Sequence, residues 1–247
     1  MTGMLNQFPY PLRDAIATLF SFFGALLWLA SISHAASRGW LHPKLSRKVI
    51  HIGTGPLFVA SWVLYSPSES ARYYAVMIPL ILTAMFLFTG LGWVKNPELV
   101  KSSTRDGVPS ELLRGPLYYG LSFIVCTLVF WRASPTGILA LMMMCGGDGF
   151  ADIIGRRFGV RKLPFSTQKS WVGSLAMFLG SIGFGLAYLV GFSQLNLIQT
   201  GLSLSEICVR VVAIASIATV VEAIPLPDID NVTITLAVIA LSQWLLA

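Results

Sequence analysis

Charge is what this sequence has least of. Lys, Arg, Asp and Glu make up 11% of its 247 residues, where soluble domains carry roughly a quarter. Mean hydropathy is +0.73. The uncharged runs are long, and no soluble fold of this size covers so much apolar surface, so a soluble domain is excluded. Cysteine is scarce too. Cys126, Cys145 and Cys208 each lie in an apolar run, without CxxC spacing. That argues against a zinc site or a disulfide framework and for small buried apolar side chains. Internal repeats, low-complexity tracts and linkers are missing, so residues 1–247 read as a single integral membrane domain. No basic segment and no Ser/Arg-rich stretch precedes the first apolar run; the chain either needs no targeting segment or is given in mature form. The net charge of +6 does not point to nucleic acid, because the cations stand in loops between apolar segments, where they set topology.

What is present is a series of apolar segments. A hydrocarbon layer about 30 Å thick takes about 20 helical residues per crossing, and a helix satisfies its own backbone in lipid. The candidate spans are Ala15–Ser33, Val49–Tyr65, Tyr74–Val94, Leu117–Trp131, Thr136–Cys145, Trp171–Phe192, Ile207–Ile224 and Val232–Leu246. Thr136–Cys145 is too short to cross alone and is expected to continue as a helix through Asp148 and Asp152. The expected fold is all-α, a polytopic membrane helix bundle with about seven to eight transmembrane helices.

Placing the loops on alternate sides separates the charges. Thirteen of the seventeen basic residues fall on one side, leaving Arg13, Arg72, Arg132 and Arg210 on the other. The excess marks a cytoplasmic-type (or stromal) face, with both termini opposite. Glu98, Asp106, Glu111, Asp148, Asp152, Glu222, Asp228 and Asp230 collect on the same face. Acids contribute little to topology, so a working site on that face is the economical explanation of both.

The densest polar stretch is Gly146–Ser174, GGDGFADIIGRRFGVRKLPFSTQKSWVGS. Asp148 and Asp152, at i and i+4, share a helix face, and Gly155 and Gly159 continue that stripe, leaving room for an incoming polyphosphate. Magnesium takes one or two carboxylates and lets substrate phosphates fill the rest. Arg156, Arg157, Arg161 and Lys162 offer phosphate donors. Lys169 and Ser170 stand where a helix N-terminus adds backbone donors. The plainer alternative, a solvated loop holding lipid headgroups, leaves the aspartates and glycines unexplained. In RKVIH, Arg47, Lys48 and His51 are fit to bind phosphate or serve as a base, or simply to snorkel at a membrane edge. Lys101–Pro116 is a solvated connection or a substrate lid, with Glu111 and Arg114 spaced to pair. Glu222 sits inside an apolar span, where an ionisable group is a functional hypothesis by default. Asp230 and Asn231 are helix caps or site members. Trp62, Trp93, Trp131 and Trp171 read as an interfacial belt.

GDGFADIIGRRFG followed by KLPFSTQKSWVGS resembles the signature of the phytol kinase family, membrane polyprenol kinases related to dolichol kinase. RKVIH, RGPLYY (Arg114–Tyr119) and VEAIPLPDIDN (Val221–Asn231) match in the same order, so the resemblance covers roughly Arg47 to Leu236. It implies phosphoryl transfer from a nucleotide, characteristically CTP, to the hydroxyl of a long isoprenoid alcohol, phytol in photosynthetic organisms, on the way to tocopherol. It places Asp148, Asp152, Lys169 and Ser170 in the nucleotide–metal site.

The expected assignment follows. Asp148 holds Mg2+, with Asp152 a second ligand or the acceptor of the alcohol proton. Arg156, Arg157, Lys162 and Lys169 hold the phosphates of CTP, with Lys48 and His51 approaching from the second span. Glu222 and Asp230 complete the metal site or orient the alcohol, whose tail lies between helices in the lipid bilayer. The rivals are a cytidylyltransferase of the CDP-diacylglycerol synthase kind, a prenyl-phosphate kinase, and a small transporter. Against the transporter, the acids cluster at one face and no inverted repeat is evident.

Overall fold

The computed structural model of the chain describes residues 7–226 and 228–246. The opening Met1–Asn6 of the N-terminal stretch and Pro227 of the PLPDIDN turn lie outside the described residues. Among those described, regular structure is helical apart from one isolated β-bridge, Lys162 to Ser170. Six helices are long and apolar enough to cross a membrane: Tyr10–Ser37, Ala71–Gly90, Pro109–Phe130, Pro135–Phe158, Trp171–Gln194 and Leu204–Ala223. This bears out the all-α membrane bundle, with six such helices where seven to eight spans were expected. The two segments that fall short do so for different reasons. The helix Pro43–Ser61 opens on Lys44, Arg47 and Lys48, so its apolar window is too charged. The helix Asp230–Leu245 has 16 residues, about 24 Å at 1.5 Å per residue, short of the hydrocarbon layer.

The helices fall into two compact units, residues 1–50 with 57–128, and residues 51–56 with 129–247. The first unit holds α1 (Tyr10–Ser37), most of α2 (Pro43–Ser61), α3 (Ala71–Ala75), α4 (Met77–Gly90), α5 (Pro97–Ser103) and α6 (Gly115–Val125). Its N-terminal anchor is polar and buried. Asp14, at the start of α1, accepts from the Ser66 N–H (2.7 Å) and hydroxyl (2.8 Å). Arg13 donates to the carbonyls of Leu64 (3.0 Å) and Tyr65 (2.9 Å). Every one of these groups sits out of water and is paired, as burial requires.

The second unit is built around one helix. It runs as α7 (Pro135–Met142), a π-helical turn (Met143–Gly147) and α8 (Asp148–Phe158). Ser134 caps it, accepting from the Thr136 N–H at 3.2 Å, with Pro135 in the first turn, where no amide hydrogen is missed. Pro135 through Gly149 are buried without a break, and 78% of the apolar window is inside the protein, against 33% or less in the other five spans. A helix apolar all round belongs in the middle. The expectation that Thr136–Cys145 continues through both aspartates therefore holds. Around it pack α9 (Trp171–Gln194), α10 (Leu204–Ala223), α11 (Asp230–Leu245) and the His51–Pro56 turns of α2.

Candidate active site

The polar end of the second unit is set by how α8 meets α9. A Cβ on Gly155 would stand 3.3 Å from the Gly173 Cα and 3.3 Å from the Ser170 Oγ, and one on Gly173 would meet the Ala151 carbonyl at 3.2 Å. The two helices thus cross backbone to backbone. Gly146, Gly147 and Gly149 are filled likewise by Phe184, by Met177 and Ser181, and by Ile52. This differs from the sequence reading, in which the Gly155–Gly159 stripe leaves room for polyphosphate: the space is taken by helix packing. Ser170 belongs to the same crossing. It is 2% exposed and caps α9 by accepting from the Gly173 N–H at 3.2 Å.

Between α8 and α9 the chain makes a short excursion. Leu163 N–H donates to the Lys169 carbonyl (3.0 Å) and Trp171 N–H to the Arg161 carbonyl (3.2 Å). The Ser166 hydroxyl accepts from the Gln168 and Lys169 N–H groups at 3.3 and 3.1 Å. Leu163, Ser166 and Ser170 are buried, and Arg161 and Lys162 are exposed. The effect is to turn Lys169 inward, where its ammonium donates to the Glu222 carboxylate near the end of α10. Glu222 is 3% exposed and the Lys169 side chain 25%. Burial alone would lower the Lys169 pKa; Glu222, with Asp148 and Asp230 also acting on it, outweighs that and holds it above its ordinary value. After Glu222 the chain reverses through Asp228, whose φ of +68° lies in the left-handed region that Asp tolerates better than most residues. The turn sets Asp230 at the start of α11.

Asp148 is 4% exposed. The π-helical turn delivers it; such turns are frequent at functional sites. The His51 Nε2 lies 3.5 Å from the Asp148 Oδ2 and 3.4 Å from the Met144 carbonyl. The structure therefore brings together His51, Asp148, Lys169, Glu222 and Asp230 in one unit. Asp152, one turn beyond Asp148 on α8, accepts from the Arg156 Nε at 2.7 Å. Arg156 is exposed, the Arg157 guanidinium lies over the Phe158 ring at 5.3 Å, and Lys162 donates to the Gln168 carbonyl at 3.3 Å. Lys48 lies in the first unit, half-buried on α2.

Among the described residues, no group of three or more His, Cys, Asp or Glu side chains could hold a metal ion. The four carboxylates expected as ligands are thus not one ligand set, and Glu222 is taken up by Lys169. Magnesium takes one or two carboxylates with water and phosphate completing the shell, and for such a sparser site Asp148 and Asp152 would be the hard oxygen donors.

Two features outside this set are settled. In the Lys101–Pro116 loop, Glu111 accepts from the backbone N–H groups of Arg105 (2.7 Å), Asp106 (3.1 Å) and Val108 (3.2 Å), so it organises the loop. An apolar groove of about 480 Å³ runs along α8 and α9, lined by Phe150, Ile154, Leu179, Gly183, Phe184 and Tyr188. Phe150 and Ile154 lie about 200–240° around α8 from Asp148 at 100° per residue, so they leave α8 on a different face from that carboxylate. What sequence reasoning missed is the Lys169–Glu222 pair, 53 residues apart, for which no local spacing gives a signal.

A Triticum aestivum protein named "Probable phytol kinase, chloroplastic" is 46% identical over 92% of this chain and 75% of its own length. "Probable phytol kinase 1, chloroplastic" of Oryza sativa subsp. japonica is 45% identical over 93% of this chain and 73% of its own. "Phytol kinase 1, chloroplastic" of Arabidopsis thaliana is 40% identical over 92% and 75%. No family model matches the chain. No solved structure matches it either.

Proposed function

The chain belongs to the phytol kinase family, and we propose that it transfers the terminal phosphoryl group of a nucleoside triphosphate, CTP by the family resemblance, to the hydroxyl of phytol. The products are phytyl phosphate and CDP. We place the reaction at the surface of a photosynthetic membrane, with the polar end of the second unit facing the cytoplasm or stroma. The observation that carries the reading is the pairing of an Asp148–His51 couple with a buried Lys169–Glu222 couple at the end of one helical unit.

Phosphoryl transfer asks for positioning and charge neutralisation more than for covalent help from the protein. The alcohol oxygen forms the new bond to the terminal phosphorus as the bridging oxygen leaves on CDP. The hydroxyl proton must go to a base, and Asp148 with His51 is the pair placed to take it. Lys169, pinned by Glu222, presents a fixed positive charge to the phosphates. Arg156, Arg157 and Lys162, at the exposed end of α8 and just beyond it, reach the outer phosphate oxygens. Magnesium, held by Asp148 and Asp152, would neutralise phosphate charge.

The test is purified protein in detergent with magnesium and γ-labelled CTP, offered phytol, geranylgeraniol, farnesol, phytyl phosphate and phosphatidate in parallel. Label on a prenyl monophosphate with CDP released supports the reading. A CDP-lipid made from phosphatidate moves the chain to the cytidylyltransferases, and transfer only to phytyl phosphate makes it a prenyl-phosphate kinase. Nucleotide-independent flux of solute into sealed vesicles supports a transporter.

A further inference from the structure

At the start of α11 stands a buried acceptor without a hydrogen-bond donor among the described residues. Asn231, in the first turn of α11, is 8% exposed, and its Oδ1 has no hydrogen-bond partner among the described residues. Buried side-chain polar atoms are nearly always paired, and leaving one unpaired is costly. The residue's place in the unit is fixed by its neighbour one turn on: Thr235 donates to the Asn231 carbonyl at 2.7 Å and to the Met144 Sδ at 3.3 Å. Residues four apart share a helix face. One turn toward the polar end, α11 carries Asn231, and the facing helix reaches Asp148 through its π-helical turn.

We propose that Asn231 binds the hydroxyl of the acceptor alcohol as it docks, its Oδ1 holding the O–H hydrogen bond until rotation about the alcohol C–O bond turns that one proton to the Asp148–His51 couple and leaves an oxygen lone pair toward the phosphorus. The inference rests on the kinase reading and deepens it. Three points select this ligand. A carbonyl-type oxygen accepts and cannot donate, so an ionised phosphate, which has no proton to give, does not satisfy it. On the side away from Asp230 and Asp148, the following turns of α11 and the facing helix are apolar, with Ile234, Val238 and Met144 all fully buried, which suits an alcohol on a hydrocarbon chain better than a charged nucleotide. The hydroxyl it would hold lies on the side of Asp148 and His51, where the proton must leave. Asn231 is thus a substrate-binding residue, distinct from a helix cap: its side chain accepts nothing from the α11 backbone.

The experiment is Asn231→Leu, close in volume and apolar, in the full chain, with Asn231→Ala as the second variant should leucine not be accommodated. Initial rates against phytol and against CTP give separate KM values, and thermal unfolding in detergent gives stability. The expected result is a KM for phytol raised roughly three- to tenfold, the worth of one hydrogen bond. The KM for CTP stays the same, and Tm is unchanged or higher. A drop in Tm with both KM values unchanged would make Asn231 a packing residue and overturn the proposal. A rise in the KM for CTP alone, or in the magnesium requirement alone, would overturn it in favour of another ligand. A wild-type protein that phosphorylates no prenyl alcohol removes the kinase reading itself, a failure seen before any variant is made.

Discussion

The ion pair between Lys169 and Glu222 should behave asymmetrically when broken. Glu222 is 3% exposed and Lys169 25%, so the two partners do not face the same solvent. Replacing Lys169 by Met leaves a carboxylate buried without its cation, a change worth about 3–5 kcal/mol in buried pairs. The quarter exposure of Lys169 lets some water reach the gap, which puts the expected loss near the low end, about 3 kcal/mol. For a chain of this size that is on the order of 6–12 °C in Tm. Replacing Glu222 by Gln keeps the shape and leaves an ammonium that already touches water, so the loss should be under about half of that. Replacing both, Lys169→Met with Glu222→Leu, exchanges the pair for apolar contact and should recover most of the loss. Activity should not recover in the double variant, because the cation proposed to face the phosphates is gone. The assay is thermal unfolding of the purified variants in one detergent, with turnover measured alongside. Equal stability of wild type and Lys169→Met would mean that the pair is not buried in the working protein. A double variant as unstable as Lys169→Met would mean that the loss came from packing and not from the stranded charge.

Three further outcomes are expected. Asp148→Asn should abolish phosphoryl transfer while leaving membrane insertion intact; near-normal turnover would remove Asp148 from the site. Gly173→Leu should drive a side chain into the Ala151 carbonyl and the Gly155 backbone, which a Cβ already approaches at 3.2 and 3.3 Å, and lower stability by about 1–3 kcal/mol or more. Unchanged thermal unfolding would contradict the close crossing. The Lys169 pKa is held above its ordinary 10.5, so its contribution to stability is fully present below that value and is lost only as pH rises beyond it. Stability of the wild type from pH 7 to 9 should therefore show no loss that Lys169→Met abolishes, and such a loss would refute the raised value.

Much of the architecture follows from local composition. Apolar runs of about 20 residues must be helices in lipid because each helix closes its own hydrogen bonds, and this needs no partner. The short Thr136–Cys145 run could be extended through Asp148 for the same reason: the i, i+4 spacing of Asp148 and Asp152 is a property of one helix. The glycines show where that reasoning stops. Gly155 is as easily read as an opening for phosphate as a place for another backbone, and only the arrival of Gly173 decides between them. Glu222 was visible as an ionisable residue in an apolar run, yet its role was not. Whether a buried carboxylate binds a metal or a lysine depends on which side chain lies opposite, and Lys169 is brought there by the turn of residues 159–170. The helices were legible in the chain alone, as was the expectation that charge collects on one face, because both depend on transfer from water to lipid summed over neighbours in the chain. Tertiary structure alone decided the pairs, His51 with Asp148 and Lys169 with Glu222, because an interaction between residues 53 or 97 positions apart has no energy until the helices between them have packed.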